Sequence, residues 1–238
     1  YEAQRVHQQQ TFLGARFGQN PLDAHVIQEI LSDVKPDLII ETGTNSGGSA
    51  LFYAFLMMAI NPACRIVTID IMDITHWATK YKVQVRDPRS FSFWKERVTA
   101  IVEPREKGGS TSPSVVAQVR SMARGKARVL VILDSCHDYA CVKAEIEAFS
   151  PLVTFDSYLI VEDTDKFGNG AGKAIREFVA AHPKKWKVDK TREYQFLTEH
   201  TDGYVQRVGR PRARRGRQQR ARRVGAVKSD QSRSDHTP

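Results

Sequence analysis

The sequence predicts an α/β domain built on a mostly parallel, doubly wound sheet. Three observations carry that expectation. Short apolar runs of strand-like composition alternate with segments whose apolar residues recur at helical spacing. The runs are hydrophobic throughout, as strands covered on both faces must be. Several of them end in an acid followed by a turn, where open α/β sheets bind their ligands.

The elements follow in order. Asp23 is read as the N-cap of a helix over residues 24–34, with Val26, Ile27, Ile30, Leu31 and Val34 on one face. Lys35-Pro36-Asp37 breaks it, and residues 38–41 form the first strand. A helix over 46–60, stopped by Asn61-Pro62, leads to a strand at Arg65–Asp70. Residues 98–102 read as a third, short strand, and 128–134 and 157–163 as two more. Helices at 113–122, 139–149 and 171–181 are interleaved with them. Segments 194–198 and 203–206 are expected to pair as a C-terminal antiparallel hairpin. Residues 73–96 are polar and aromatic without a clean period, and read as an excursion over the active-site edge.

Composition sets the outer bounds. A chain of 238 residues, 41% of them hydrophobic, can bury a full core. No apolar run approaches the roughly 20 residues of a membrane span, and the first ten residues lack a signal peptide's apolar segment. The three cysteines (Cys64, Cys136, Cys141) are odd in number and form no Cys-x-x-Cys pair. That argues against a disulfide framework and for a reducing, cytoplasmic setting, with Cys141 a packing residue. The net charge of +9 is unevenly placed. Residues 207–238 hold eleven Lys/Arg against two Asp, whereas 1–206 hold twenty-five of each sign. The expected organisation is therefore a neutral domain over 1–206, with 1–18 as an N-terminal extension, and an arginine-rich disordered tail.

The glycine-rich turn after the first strand reads Glu41-Thr-Gly-Thr-Asn-Ser-Gly-Gly-Ser-Ala50. Gly43, Gly47 and Gly48 permit conformations and approaches that a Cβ blocks. The spacing is neither a phosphate loop nor a dinucleotide fingerprint. An acid ahead of the first glycine repels a pyrophosphate and suits a ligand with a cationic amino-acid part, for which S-adenosylmethionine is the obvious candidate. Glu41, Gly43, Thr44, Gly47 and Ser49 are its candidate contacts; a tight packing turn without ligand is the alternative. Asp70, closing the second strand, is placed to accept hydrogen bonds from ribose hydroxyls.

Asp134 and the pair Glu162-Asp163 end two strands that should be neighbours. Such a cluster suits oxygen ligation of Mg²⁺, although strand-end acids also cap helices and bind water. His137, three residues after Asp134, either takes a proton from a substrate hydroxyl or caps the following helix. The other six histidines show no metal-ligand spacing and are read as surface or structural.

In combination, several segments resemble the cephalosporin hydroxylase/rhamnosyl O-methyltransferase family. They are Gln28-Glu29 with Lys35-Pro36-Asp37, the glycine turn, Leu133-Asp-Ser-x-His137 with Val142-x-x-Glu145, and Tyr158-Leu-Ile-Val-Glu-Asp163. Weaker echoes are Gly109-Ser-Thr-Ser-Pro113 and Asp202-Gly-Tyr-Val-Gln-Arg207. The resemblance implies a Rossmann-like class I methyltransferase fold and methyl transfer from S-adenosylmethionine to a hydroxyl of a sugar or other secondary metabolite. It implies Mg²⁺ held at Asp134, Glu162 and Asp163, with His137 as base and Ser110 near the adenine. Cys141 stands where the family usually carries a second histidine, and the arginine-rich remainder has no counterpart. A catechol-type O-methyltransferase is the rival within enzymes. The rival of another class is a nucleic-acid binder gripping phosphates through residues 207–223, with weak, salt-sensitive polyanion binding. That segment's composition is equally that of a non-functional extension. A homo-oligomer is compatible with the sequence.

Overall fold

The structure, a computed structural model, describes residues 9–81 and 86–208. The arginine-rich segment beyond Val208, expected to be disordered, lies outside the described residues. Two short strands, β1 (Thr11–Phe12) and β2 (Ala15–Arg16), pair antiparallel at the start. Helix α1 (Pro21–Val34) follows, then β3 (Leu38–Thr42), α2 (Gly48–Ile60) and β4 (Arg65–Asp70). Helices α3 (Ile74–Tyr81) and α4 (Ser92–Arg97) precede β5 (Val98–Val102). The chain continues through α5 (Pro113–Ala123), β6 (Val129–Leu133), α6 (Tyr139–Phe149), β7 (Tyr158–Val161), α7 (Gly170–Ala181), β8 (Trp186–Val188) and β9 (Tyr204–Arg207).

The main sheet has seven strands in the order β5-β4-β3-β6-β7-β9-β8, parallel except for β9. Alternation within the strands explains why helices cover both faces. Ile39, Ile66, Leu130, Ile132 and Ile160 pack with α1 and α2, whereas Leu38, Ile40, Val67, Val131 and Leu159 pack with α5, α6 and α7. β3 to β5 build out to one side and β6 onward to the other, so the switch point lies between β3 and β6.

Two local expectations are corrected. Asn20, not Asp23, caps α1: its side chain accepts from the Leu22 amide at 3.0 Å, and Pro21 occupies the first helical position. Asp23 is instead fully buried, accepting from Thr198 Oγ1, the Glu199 amide and Tyr204 Oη. Residues 194–198 form no strand; Phe196 there is 99% exposed, and β9 pairs instead with β8. The excursion between β4 and β5 contains α3 and α4, and Trp94 of α4 is buried in the core.

Candidate active site

Sheet register assembles the site. Thr42 of β3 pairs with Ile69 of β4 and Leu133 of β6, and Leu133 pairs with Val161 of β7. One residue further on, Asp70, Gly43, Asp134 and Glu162 therefore share one row at the carboxyl rim. A cavity of about 470 Å³ opens there, lined among others by Asp70, Trp77, Ser110, Asp134, His137 and Asp163. A recess of about 30 Å³, lined by Arg16, Gln19, Thr44 and Ser49, also touches Gly43 and Asp134.

Gly43 must be glycine. Its φ is +91°, and a Cβ would collide with the Asp134 backbone carbonyl across the switch point. A valine there would force β3 and β6 apart as well as intrude on a ligand. Gly47 answers to packing, its missing Cβ facing Pro88, Trp94 and Ile74. Gly48 lets the Arg16 backbone of β2 close over the start of α2.

Glu41 sits two residues below the rim row because β3 continues to Thr42. Its carboxyl is buried and accepts from Thr68 Oγ1 at 2.5 Å. Burial pushes its pKa up to about 7, against the opposing hydrogen bonds of Ser49 and Thr68. The structure thus holds Glu41 behind the turn, away from the residues lining the cavity. Thr44 bonds Thr68 through its hydroxyl at 2.7 Å and lines the recess. Asp70 Oδ2 accepts from the Asn45 amide at 2.7 Å, and its Oδ1 accepts from the Met72 amide and Trp77 Nε1.

On the other side of Gly43 the acids face one another. Asp134, His137 and Asp163 offer ligand atoms within 4.8 Å of one another. Burial, then Asp163, drives the Asp134 pKa well above the carboxylate range. Asp163 has a left-handed backbone (φ +53°), and its amide donates to His200 Nδ1 at 3.2 Å. Glu162 lies beside this group but turns its Oε2 to Gln19 Nε2 at 2.5 Å. Its Oε1 is buried without a hydrogen-bond partner, and burial together with Asp134 raises its pKa well above normal. His137 Nε2 lies 3.8 Å from Asp163 Oδ2, and burial lowers the imidazole's pKa despite that carboxylate. The cap of α6 is Asp138, which accepts from the Cys141 amide at 3.0 Å, so the capping role belongs to Asp138 and not to His137.

Cys136 and Cys141 form a disulfide, with Cα atoms 6.3 Å apart, that spans His137. This corrects the expectation of no disulfide framework and of Cys141 as a packing residue. Cys64 is the free, buried cysteine.

The sequence profile of the rhamnosyl O-methyltransferase/CmcI family matches residues 4–208. The chain belongs to this family. A rhamnosyl O-methyltransferase of Mycobacterium leprae is 31% identical to it over 205 residues, 82% of each chain. One from Mycobacterium tuberculosis is 30% identical over 215 residues, 86% of this chain and 81% of the relative. A Mg–SAM structure of CmcI aligns with a TM-score of 0.62 at 19% identity, covering 84% of this chain and 77% of that one. A TDP-rhamnose 3′-O-methyltransferase of calicheamicin biosynthesis aligns at 0.53 and 20% identity, covering 79% and 78%. Those structural likenesses are likenesses of fold.

This member of the family carries site residues that sequence reasoning missed. Arg16, at the end of β2, and Gln19, between β2 and α1, reach the rim at 5% and 6% exposure. Nothing periodic marks them in the sequence. Ser135 and Glu145 are tied together beneath the cavity at 2.6 Å, and Glu145 stood in the sequence only as part of the family likeness. Among the described residues, no helix is long and apolar enough to cross a membrane.

Proposed function

We propose that the chain is an S-adenosylmethionine-dependent O-methyltransferase acting on a hydroxyl of a sugar or glycoside, with Mg²⁺ held at Asp134, Glu162 and Asp163. The single observation that carries this reading is the rim row. A hydrogen-bonded acid, a glycine at the switch point and the facing carboxyls of Asp134 and Asp163 share one cavity, with Glu162 on the same row behind them. The named activity of the curated relatives and the magnesium and SAM of the CmcI structure support it. So does the chemistry of the acids, since two charges about 4 Å apart repel by roughly 4 kcal/mol at an effective dielectric of about 20. The orphaned Glu162 Oε1 fits a cation as its missing partner.

When bound, the donor supplies an electrophilic methyl group, and the cation lowers the pKa of the acceptor hydroxyl. This chain's residues do the rest. Asp70, its carboxylate fixed by three N–H donors, faces the donor's ribose hydroxyls. Arg16 brings a guanidinium to the recess, where it suits the donor's carboxylate. Glu41 acts from behind, its buried carboxyl bonded to Ser49 and Thr68 beneath the turn that faces the donor. Ser110 meets the adenine. His137, kept neutral by burial, accepts the proton of the acceptor hydroxyl, and Asp163 then stabilises the imidazolium. Alignment of donor and acceptor within about 3–3.5 Å supplies much of the acceleration.

Isothermal titration of S-adenosylmethionine, with and without Mg²⁺, tests the reading, followed by methyl transfer to rhamnosides and to a catechol. Donor binding and transfer to the sugar are expected. No donor binding in either condition sinks the proposal, and transfer to the catechol alone replaces the acceptor class. Three secondary proposals accompany it. A cytoplasmic setting is checked by cell fractionation, self-association by sedimentation, and weak polyanion binding through residues 207–223 by heparin retention at low salt.

A further inference from the structure

Glu145 of α6 lies under the cavity floor. Its carboxylate is fully buried, at 0% exposure. Oε1 accepts from Ser110 Oγ at 2.5 Å and from Ser135 Oγ at 2.6 Å, and Oε2 accepts from Thr42 Oγ1 at 3.1 Å. Two of these residues, Ser110 and Ser135, line the cavity, and Thr42 ends β3 just before Gly43. Burial of such a group is costly unless it is hydrogen-bonded, and three hydroxyls converge to meet that need.

We propose that Glu145 is a positioning residue that fixes the Ser110 hydroxyl and thereby makes the nucleobase end of the cavity selective for an exocyclic amino group. A serine hydroxyl has one proton and two acceptor lone pairs. Glu145 takes the proton, so Ser110 presents only lone pairs to the cavity. An adenine amino group donates to those lone pairs. A base with oxygen in its place sets acceptor against acceptor. Without Glu145, the hydroxyl rotates and serves either base. The same carboxylate joins the Ser110 segment to the ends of β3 and β6, so the floor under donor and acceptor is one hydrogen-bonded unit. The inference rests on the proposed placement of the donor's adenine at Ser110.

The test compares the binding of S-adenosylhomocysteine and S-inosylhomocysteine, which differ by amino group against oxygen, to wild-type protein, E145Q, E145A and S110A. Wild type should prefer the adenosyl ligand by about fivefold to tenfold, the worth of one hydrogen bond. E145Q, whose amide oxygen still accepts from Ser110 and Ser135, should keep that preference. E145A and S110A should bring it to within about twofold. A merely structural role would weaken both ligands together and leave their ratio intact, and that result in E145A overturns the proposal. So does a wild type that binds both ligands equally. If E145A does not fold, S110A decides: an unchanged ratio overturns the proposal and a collapsed ratio, with E145Q intact, supports it. A wild type that binds neither ligand overturns the donor assignment itself, a different failure.

Discussion

Asp70 and Asp134 flank Gly43 on one row of the sheet, yet their surroundings are opposite. Asp70 accepts three N–H groups from the turn, the following loop and Trp77. Asp134 looks across at Asp163 and Glu162, and burial with that neighbouring charge drives its pKa far up. The half of the rim proposed for the donor is thus hydrogen-bonded by the protein's own groups. In the half proposed for the acceptor, strand register holds the acids together against their mutual repulsion. Preorganised hydrogen bonding suits recognition of a ligand common to many reactions; an unmet cluster of acids suits a cation that takes part in one.

The most severe way to break this division is to neutralise each half separately. Asp134→Asn and Asp163→Asn should each lower turnover by about 10²–10³-fold, roughly 3–4 kcal/mol in the barrier, with donor affinity within a few-fold of wild type. Asp70→Asn should do the reverse, weakening donor binding about tenfold while kcat falls only slightly. Steady-state kinetics alongside calorimetry read both. Activity that survives excess chelator would remove the cation from the acceptor half.

A smaller effect sharpens the donor half through pH. Glu41 has a folded-state pKa of about 7 against an ordinary 4.5, so between those values the native state holds a proton that the unfolded chain has released. Stability contributed by the neutral carboxyl is therefore present below about pH 4.5 and lost as pH rises through about 7, on the order of 3 kcal/mol in all. Glu41→Gln should flatten that fall in denaturation curves taken across the window. An unchanged slope would mean that the buried carboxyl is not its source.

The smallest expected effect concerns the Cys136–Cys141 link. Closing so short a loop stabilises the fold by about 2 kcal/mol in the chain-entropy account. Reduction, or the double serine variant, should lower the thermal midpoint correspondingly and slow turnover a few-fold by loosening the segment that carries His137. Donor affinity should hold. A loss of donor affinity on reduction would show that the two halves are less separable than their hydrogen bonds indicate.

The sheet was legible in the sequence because its strands are buried on both faces, which leaves uninterrupted apolar runs such as Val129–Leu133. β8 was not, because it is a three-residue edge strand set among lysines, while the aromatic 194–198 stretch mimicked strand composition. The rim acids were legible for the same reason as the strands they end. Glu41 was placed one step too near the cavity, because nothing in the sequence shows that pairing continues through Thr42. Arg16 arrives from a hairpin whose strands are two residues each, too short to leave a period. The partners of Glu145 lie 10, 35 and 103 residues away, distances at which sequence alone gives no contact.

β9 runs against its neighbours, and that reversal fixes where the chain leaves the sheet. Tyr204 lies opposite Ile160 near the rim, and Gln206 lies opposite Tyr158 at the far end. Val208 then donates to Lys185 on the opposite wall from the cavity. β9 thus carries the chain from the mouth of the cavity to the closed end of the sheet, where Val208, the last described residue, is tied to Lys185.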